Sequence, residues 1–422
     1  MRVLLIHQYY EQTRGSSKVF FGVEQTLRSL GHEPIAFTSQ TAASLPTPYS
    51  HFFPAGFSRQ ELAGLSLARK AQLGMRGLYS FEARRQLGRL IEETKPELAI
   101  VFRPDYQLSQ AVLVELKERR VPTIQWVVDF GLWCTQTHAF NPTAEAPCYR
   151  CFGGAHWNAI RFGCSPDSRL MAAYGAAARL VSHRVLHVDR LPNLIVVPCV
   201  ATRQLLVERA GLPVEKMRIV RHPMDLSEFP DAGTPTIGDT VVFSGMLQPS
   251  KGASTLLDAI RLVPRLKVEI YGINRLGLAD ELHAFVARHG LAERVLIDTE
   301  LRFGPVLIER IRKSLCVVIP SVWADTSEYA TLEAMALGKA VIVSDLGGNR
   351  EYVEQAGCGI VVPAGRADAL AAALRELAEN PDRAKELGLR GRQFIRDQFS
   401  DRSFMTAIAQ LIQDAELSQH ST

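Results

Sequence analysis

Short apolar runs alternate with helical stretches twice along this chain, and that alternation predicts two doubly wound α/β domains. A polar stretch bearing Gly and Pro, residues 231–238 (DAGTPTIG), separates the two series and is the best linker. At 422 residues the chain is too long for one core and suits two domains. The expected boundaries are 1–231 and 239–398, with a last helix over 399–422.

The first series opens with a strand at residues 2–6. A polar loop, HQYYEQTRGSS, leads to a helix over 18–30. Gly15 sits just before that helix, so the loop can approach a ligand with its backbone. The loop is not a GxGxxG fingerprint, which argues against a nicotinamide or flavin site. A strand at 34–38 and a long loop at 39–58 follow. Residues 61–93 form one or two helices bearing Arg69, Lys70, Arg76, Arg84, Arg85 and Arg89. A solvated helix face is the favoured reading, and peripheral contact with an anionic membrane the other. Strands at 98–102 and 123–128 flank a helix at 111–118, and Asp129 closes the second of them. The runs at 180–186, 194–197 and 218–220 continue the pattern.

Between them lies an insert, 134–164, carrying Cys134, Cys148, Cys151 and Cys164. One CxxC pair among four thiols suggests a structural zinc, with His138 and His156 as substitute ligands. A zinc ribbon has two such pairs, so buried thiols are the competing reading.

The second series restarts at 240–243 and alternates through helix 252–262, strand 268–271, helix 279–288, strand 295–297, helix 306–314 and strand 317–319. Its most informative stretch is 320–348, PSVWADTSEYATLEAMALGKAVIVSDLGG. A polar loop carries Asp325, a helix begins near Glu328 and stops at Gly338, and a strand follows at 340–343. A helix starting beyond a strand's carboxyl end aims free N–H groups into the crevice where α/β sheets bind ligands. The amides of Glu328, Tyr329, Ala330 and Thr331 therefore suit a phosphate. Glu333, half-buried beside an apolar stripe, suits a pair of sugar hydroxyls. Asp325 and Glu328 also stand at capping-box spacing, which needs no ligand. Upstream, FSGMLQPSKGAS puts Gly245 at a tight turn and Lys251 at the mouth of the next helix, a point charge for phosphate. A strand at 359–362 and helices at 366–379, 382–397 and 402–417 complete the chain.

Composition excludes several classes. Hydrophobic residues make up 47% and charged residues 22%, ordinary for a globular protein. A net charge of +4 is too weak for nucleic acid. No run of eighteen apolar residues predicts a membrane span. MRVLLIHQYY reads as a first strand rather than a signal peptide, and seven cysteines point to a reducing cytoplasm, with the inner membrane face as a peripheral site.

With these residues in view, SGMLQPSKG, PSVWAD…TLEAMALGKAVIVSDLGGNREYV, EIYG at 269–272 and VVPAG at 361–365 resemble the family-4 glycosyltransferases. The resemblance implies a GT-B-like fold, two Rossmann-like domains facing a central cleft, and a last helix packing back toward the first domain. It also implies retaining transfer of a sugar from a nucleotide-sugar donor to an acceptor, with no cofactor required for catalysis. By position, Glu333 would hold the ribose and Asp325 the donor sugar. Lys251 and the amides at 328–331 would hold the diphosphate, and Gly15 and Gly245 would border the donor. Lys251, Asp325 and Glu333 are thus the catalytic candidates, and Asp129 and Arg103 the acceptor-side candidates.

The departures are specific. Met246 stands where the family usually has Arg, a lost clamp worth on the order of 100-fold in rate. Asp325 replaces Glu, Thr326-Ser327-Glu328 replaces Pro-Phe-Gly, and Val128 replaces His. Arg103, Arg221, His222 and Arg302 are the candidates for the missing positive charge or donor. A non-catalytic nucleotide-sugar-binding or scaffold subunit is the rival reading, and other chemistry on nucleotide sugars a third.

Overall fold

In the computed structural model the chain divides into two compact units. The structure describes residues 1–12, 15–57, 64, 66–165, 168–229, 237–274, 277–301 and 303–419. Most of the linker stretch, residues 231–236, and the candidate cation Arg302 lie outside the described residues.

The first unit comprises residues 1–137, 149–223 and 402–422. Its sheet joins β1 (Arg2–Tyr9), β2 (Glu33–Ser39), β3 (Leu98–Arg103), β4 (Thr123–Trp126), β7 (Leu194–Val197) and β8 (Met217–Ile219). All pairings are parallel, in the order β2-β1-β3-β4-β7-β8. Strands of such a sheet are covered on both faces and read as continuous apolar runs. LLI in β1 and AIV in β3 accordingly have no exposure. The C-terminal helix Asp401–Gln419 belongs to this unit, where Phe404 meets the Trp126 ring and Asp414 pairs with Arg218.

The second unit comprises residues 138–148 and 224–401. Its sheet joins β9 (Thr240–Ser244), β10 (Lys267–Tyr271), β11 (Val295–Asp298), β12 (Cys316–Ile319), β13 (Ala340–Ser344) and β14 (Gly359–Val362). The order is β11-β10-β9-β12-β13-β14, again parallel throughout. The chain steps outward from β9 to β11, then returns to the other side of β9 with β12. The gap between β9 and β12 is therefore the topological switch point, where a crevice opens at the strands' carboxyl ends.

Three details differ from the sequence reading. The run expected at 180–186 is helical up to residue 185: helix Arg169–Leu180 runs into a π-helical turn, Val181–Val185. A short apolar run cannot be assigned to strand or helix by periodicity alone. Helices Val200–Ala210 and Gly347–Ala356 were not anticipated. Residues 138–148 of the cysteine insert belong to the second unit, including a small hairpin of β5 (Phe140–Asn141) and β6 (Ala146–Pro147). The expected helices at 61–93 resolve into Leu67–Leu78 and Phe81–Thr94. The second buries Leu87, Leu90 and Ile91, while its Arg84 is paired with Glu115 and Glu118. Among the described residues no helix is long and apolar enough to cross a membrane.

Candidate functional site

The switch point of the second unit carries a buried charge cluster. A 3-10 turn, Pro249–Lys251, follows β9 and ends in Gly252 with φ 74°. A side chain is excluded there, because a Cβ would fall 1.9 Å from the Pro320 carbonyl oxygen. That close approach sets Lys251 against the loop leaving β12. Lys251 Nζ lies 2.8 Å from Asp325 Oδ2 and 2.9 Å from Glu328 Oε1. The Trp323 ring lies 5.0 Å from the same ammonium, within cation–π range.

The loop holds its acids by backbone contacts. Gly347, φ 64°, leaves no room for a Cβ against the Asp325 backbone, and Gly348 N–H donates to the Asp325 carbonyl at 2.8 Å. Ser327 N–H donates to Asp325 Oδ1 at 3.2 Å. Glu328 Oε2 accepts from Ser321 Oγ at 3.2 Å and from Asn349 Nδ2 at 3.5 Å.

One cation between two carboxylates settles the charges. Burial disfavours the Lys251 ammonium, yet Asp325 and Glu328 hold its pKa well above the usual value. Burial also disfavours the Asp325 carboxylate, but Lys251 outweighs it and the pKa falls. Glu328 gives way: burial, with Asp325 beside it, pushes its carboxyl up to about 7 against the pull of Lys251. The cluster therefore carries about one proton of adjustable charge near neutrality.

The expected phosphate amides are partly committed. The helix is Tyr329–Ala336 with Glu328 as its N-cap. Glu328 N–H donates to Asn349 Oδ1 at 3.1 Å, and Thr331 N–H to the Glu328 carbonyl at 3.1 Å. Tyr329 and Ala330 supply the first turn between them. No capping box forms, since Asp325 receives Ser327 rather than the helix start. Glu333 is 2% exposed, more buried than the half-buried position expected for it. Ser327 Oγ and Thr331 Oγ1, both buried at this helix start, have no hydrogen-bond partner among the described residues. Gly245 makes no left-handed turn; the close approach belongs to Gly272, whose Cβ would fall 1.9 Å from the Gly245 carbonyl oxygen.

The first unit places Gly15, Arg103 and Asp129. Gly15 caps helix Ser16–Ser29 at φ 74°. Arg103, ending β3, pairs with Asp105 and, through Nη1, with Asp129 Oδ2 at 3.1 Å. Gly131 N–H donates to Asp129 Oδ1 at 2.7 Å. Burial raises the Asp129 pKa, opposed by Arg103. Burial also disfavours the Arg103 charge, but Asp129 and Asp105 hold its pKa above the usual value. These groups line a pocket of about 320 Å³, part of it open to solvent, with Gln110, Gln125 and Trp126. Gln110 Oε1, Gln125 Oε1 and Trp126 Nε1 have no hydrogen-bond partner among the described residues.

Cys134, Cys151 and Cys164 are buried and Cys148 partly so. Among the described residues no three His, Cys, Asp or Glu side chains come together as a metal set. Sequence reasoning passed over the Glu328 side chain, Trp323, Asn349 and Asp105. It considered His138 only as a metal ligand. The signal for Glu328 is present, an acid three residues beyond Asp325, but the sequence offers it only a backbone amide for phosphate or a place in a capping box.

Residues 227–394 match the family described as glycosyl transferases group 1. A phosphatidyl-myo-inositol mannosyltransferase of Mycobacterium leprae is 32% identical over 151 residues, covering 35% of this chain and 40% of that protein. A D-inositol 3-phosphate glycosyltransferase of Streptomyces bingchenggensis is 27% identical over 240 residues, 51% of this chain and 48% of that one. The matches thus span less than half the length of these curated relatives. Among solved structures, sucrose-phosphate synthase from Thermosynechococcus elongatus superposes with a TM-score of 0.69 at 16% identity, covering 99% of both chains. Anabaena Alr3699/HepE in complex with UDP and glucose gives 0.65 at 17% identity, covering 98% of this chain and 99% of that one. These likenesses show the fold, GT-B with two Rossmann-like domains, and the family match lies in residues 227–394, the part that holds Lys251, Asp325, Glu328 and Glu333.

Proposed function

We propose that this protein is a retaining glycosyltransferase that moves a sugar from a nucleotide-sugar donor to an acceptor hydroxyl or amine. One observation carries the reading: Lys251, Asp325 and Glu328 meet at the switch point of a unit that matches glycosyl transferases group 1. In this reading Glu333 takes the ribose hydroxyls and Asp325 the donor sugar. The diphosphate faces Lys251 and the first turn of helix Tyr329–Ala336. Lys251 already serves two carboxylates, so the diphosphate competes with Glu328 for it. Protonation of Glu328 releases the ammonium to the phosphate. The bond from the anomeric carbon to the diphosphate oxygen breaks as the acceptor attacks from the same face, and the acceptor's proton passes to the departing diphosphate, which Lys251 stabilises, with no enzyme nucleophile and no metal.

The pocket of Arg103, Asp105 and Asp129 is the acceptor-side candidate, because its carboxylates and unpartnered amide oxygens suit hydroxyl or amine donors. We place the protein in the cytoplasm, with peripheral membrane contact left to the exposed Met75 and Phe81. A structural zinc in the cysteine insert remains a separate proposal, tested by metal content of the purified protein.

The test is nucleoside-diphosphate release and thermal stabilisation across UDP-, GDP-, ADP-, CMP- and dTDP-sugars. One sugar donor should stabilise the protein and release diphosphate with an acceptor. Stabilisation without release on any acceptor supports a second reading, a nucleotide-sugar-binding subunit. Met246 and Val128, standing where the family usually has Arg and His, favour that reading. No stabilisation by any donor removes both.

A further inference from the structure

We propose that His138 is a positioning residue of the Lys251 site, holding the Trp323 indole against the Lys251 ammonium so that the site can take the diphosphate of its ligand. The inference rests on the nucleotide-sugar reading above and extends it to a residue outside the matched region, 227–394. His138 comes from the cysteine-bearing insert of the first half of the chain, yet residues 138–148 belong to the second unit.

Two independent observations carry it. The first is contact geometry. The His138 ring stands edge-on to the Trp323 indole, centroids 4.6 Å apart at 81°, an arrangement favoured by the quadrupole of the indole face. The same indole lies 5.0 Å from Lys251 Nζ. His138 is also tied to the Lys251 turn: Gln248 Nε2 lies 3.5 Å from His138 Nε2 and donates to Ser250 Oγ at 2.9 Å. Histidine, tryptophan and lysine thus form a short chain of contacts ending on the ammonium.

The second is backbone strain. Thr137 has φ 60° and Ala139 has φ 50°, so both neighbours of His138 are left-handed. For a β-branched residue such as Thr137 that conformation is a genuine outlier. Strain of this kind persists only where surrounding contacts impose it, and it gathers at ligand clamps. Those contacts are present. Phe130 N–H donates to the Thr137 carbonyl at 2.8 Å, and Cys148 N–H to the Ala139 carbonyl at 2.7 Å. The backbone is pinned on either side of His138, and the side chain is delivered to Trp323.

Lys251 needs this support because one of its two carboxylate partners, Glu328, competes with the ligand. When a diphosphate draws the ammonium from Glu328, Asp325 and the indole face are the neighbours that stay. A displaced indole would leave the ammonium free to follow its carboxylates.

The experiment compares wild type, His138→Ala and His138→Phe. Phenylalanine keeps an aromatic edge against Trp323 and loses the ring nitrogens. Dissociation constants for UDP, GDP and ADP are measured by calorimetry. Indole N–H signals of the four tryptophans are recorded by NMR, with Trp323 assigned from Trp323→Phe. His138→Ala should shift the Trp323 signal and weaken the best nucleoside diphosphate by roughly 3- to 10-fold, the worth of one aromatic pair. His138→Phe should restore both. An unmoved Trp323 signal in His138→Ala overturns the proposal, whatever the nucleotides do. So does a shifted signal with unchanged nucleotide affinity, or a His138→Phe variant no better than His138→Ala. If wild type binds none of the three nucleotides, nor CMP or dTDP, the nucleotide-sugar reading fails and takes the diphosphate role of His138 with it. The indole signal then reports separately whether His138 holds Trp323.

Discussion

Each unit of this molecule sets one cation between two carboxylates at the carboxyl end of its sheet, and the two clusters behave differently. In the second unit the cation is Lys251, side chain 8% exposed, between Asp325 and Glu328. In the first it is Arg103, side chain 27% exposed, between Asp105 and Asp129. Arginine's planar fork can serve two acids at once and keeps its charge in any case. Lysine is a compact point charge that a new anion can redirect. The lysine cluster also lies at a topological switch point and beside a helix start, and one of its acids is poised near neutral pH. Equal charge counts thus give a fixed brace in one place and an exchangeable site in the other.

The largest test of that contrast is Lys251→Met. It leaves two buried carboxylates without their cation, a loss of about 3–5 kcal/mol. The two ion pairs make Lys251 a residue of the fold as well as of the site. Chemical denaturation at pH 8 should show the full loss, and at pH 6 a smaller one, because Glu328 is then protonated. Glu333→Ala, which leaves the ion pairs intact, should instead lower diphosphate release by about 100-fold or more with a smaller change in stability. Near-wild-type release from Glu333→Ala would remove that residue from the site.

Next in size is the pH dependence of Glu328. A carboxyl whose pKa is raised from 4.5 to about 7 keeps its proton in the folded state while the unfolded chain has lost it. Stability therefore falls as pH rises from about 4.5 to about 7, by about 3 kcal/mol at most, and is flat above. Glu328→Gln imitates the protonated acid and should abolish that slope, measured as urea midpoints from pH 5 to 8. In the same variant, nucleoside-diphosphate affinity should lose its decline with rising pH. A slope that persists in Glu328→Gln would assign the titration to another group.

A smaller effect is expected in the first unit. Arg103→Lys keeps the charge but cannot bond Asp105 and Asp129 in the same geometry. It should cost about 1.5–3 kcal/mol, the range of one charge-assisted hydrogen bond. The cost should vary little from pH 6 to 8, in contrast to the lysine cluster. A loss that tracks pH as Lys251→Met does would erase the distinction between brace and exchangeable site.

The alternation of strand and helix was legible because parallel strands, buried on both faces, leave continuous apolar runs such as VVF in β9 and CVVI in β12. Helix Ala111–Glu118 and strand Gly359–Val362 fell where expected for that reason. Asp325 and Lys251, which the structure pairs, were legible as spacings or through the resemblance, and Glu333 was legible as a candidate only. The Glu328 side chain was not, since its role depends on β9 lying beside β12, and alternation says nothing of strand order. Asp105 was hidden in the same way, two residues past a strand whose neighbour supplies Asp129. His138 was the least legible: its partner Trp323 lies far along the chain, in what looked like a different domain. The run at 180–186 failed for a local reason, having apolar residues that fit either period.

The smallest predicted effects come from one glycine beside each cluster. A Cβ at Gly245 would lie 3.5 Å from Glu328 Oε1, an ordinary contact, and the backbone there is not left-handed. Gly245→Ala should therefore change stability by less than about 0.5 kcal/mol, as surface substitutions without a named mechanism do. It would still set an apolar methyl against Glu328 Oε1, which disfavours the charged acid and so moves the urea-midpoint transition to higher pH. A Cβ at Gly131 would lie 2.8 Å from Asp129 Oδ1, too close without displacement, and 3.5 Å from Asp105 Oδ1. Asp129 must then turn away from Gly131 N–H or from Arg103. Gly131→Ala should cost about 1 kcal/mol, one hydrogen bond, with no pH dependence added. Measured side by side, the two alanines ask whether each acid is held or adjustable. A brace answers a crowding methyl with lost stability, and an exchangeable acid answers it with a shifted titration. If Gly131→Ala shifted a titration and Gly245→Ala lost stability, the assignment of the two roles would have to be exchanged.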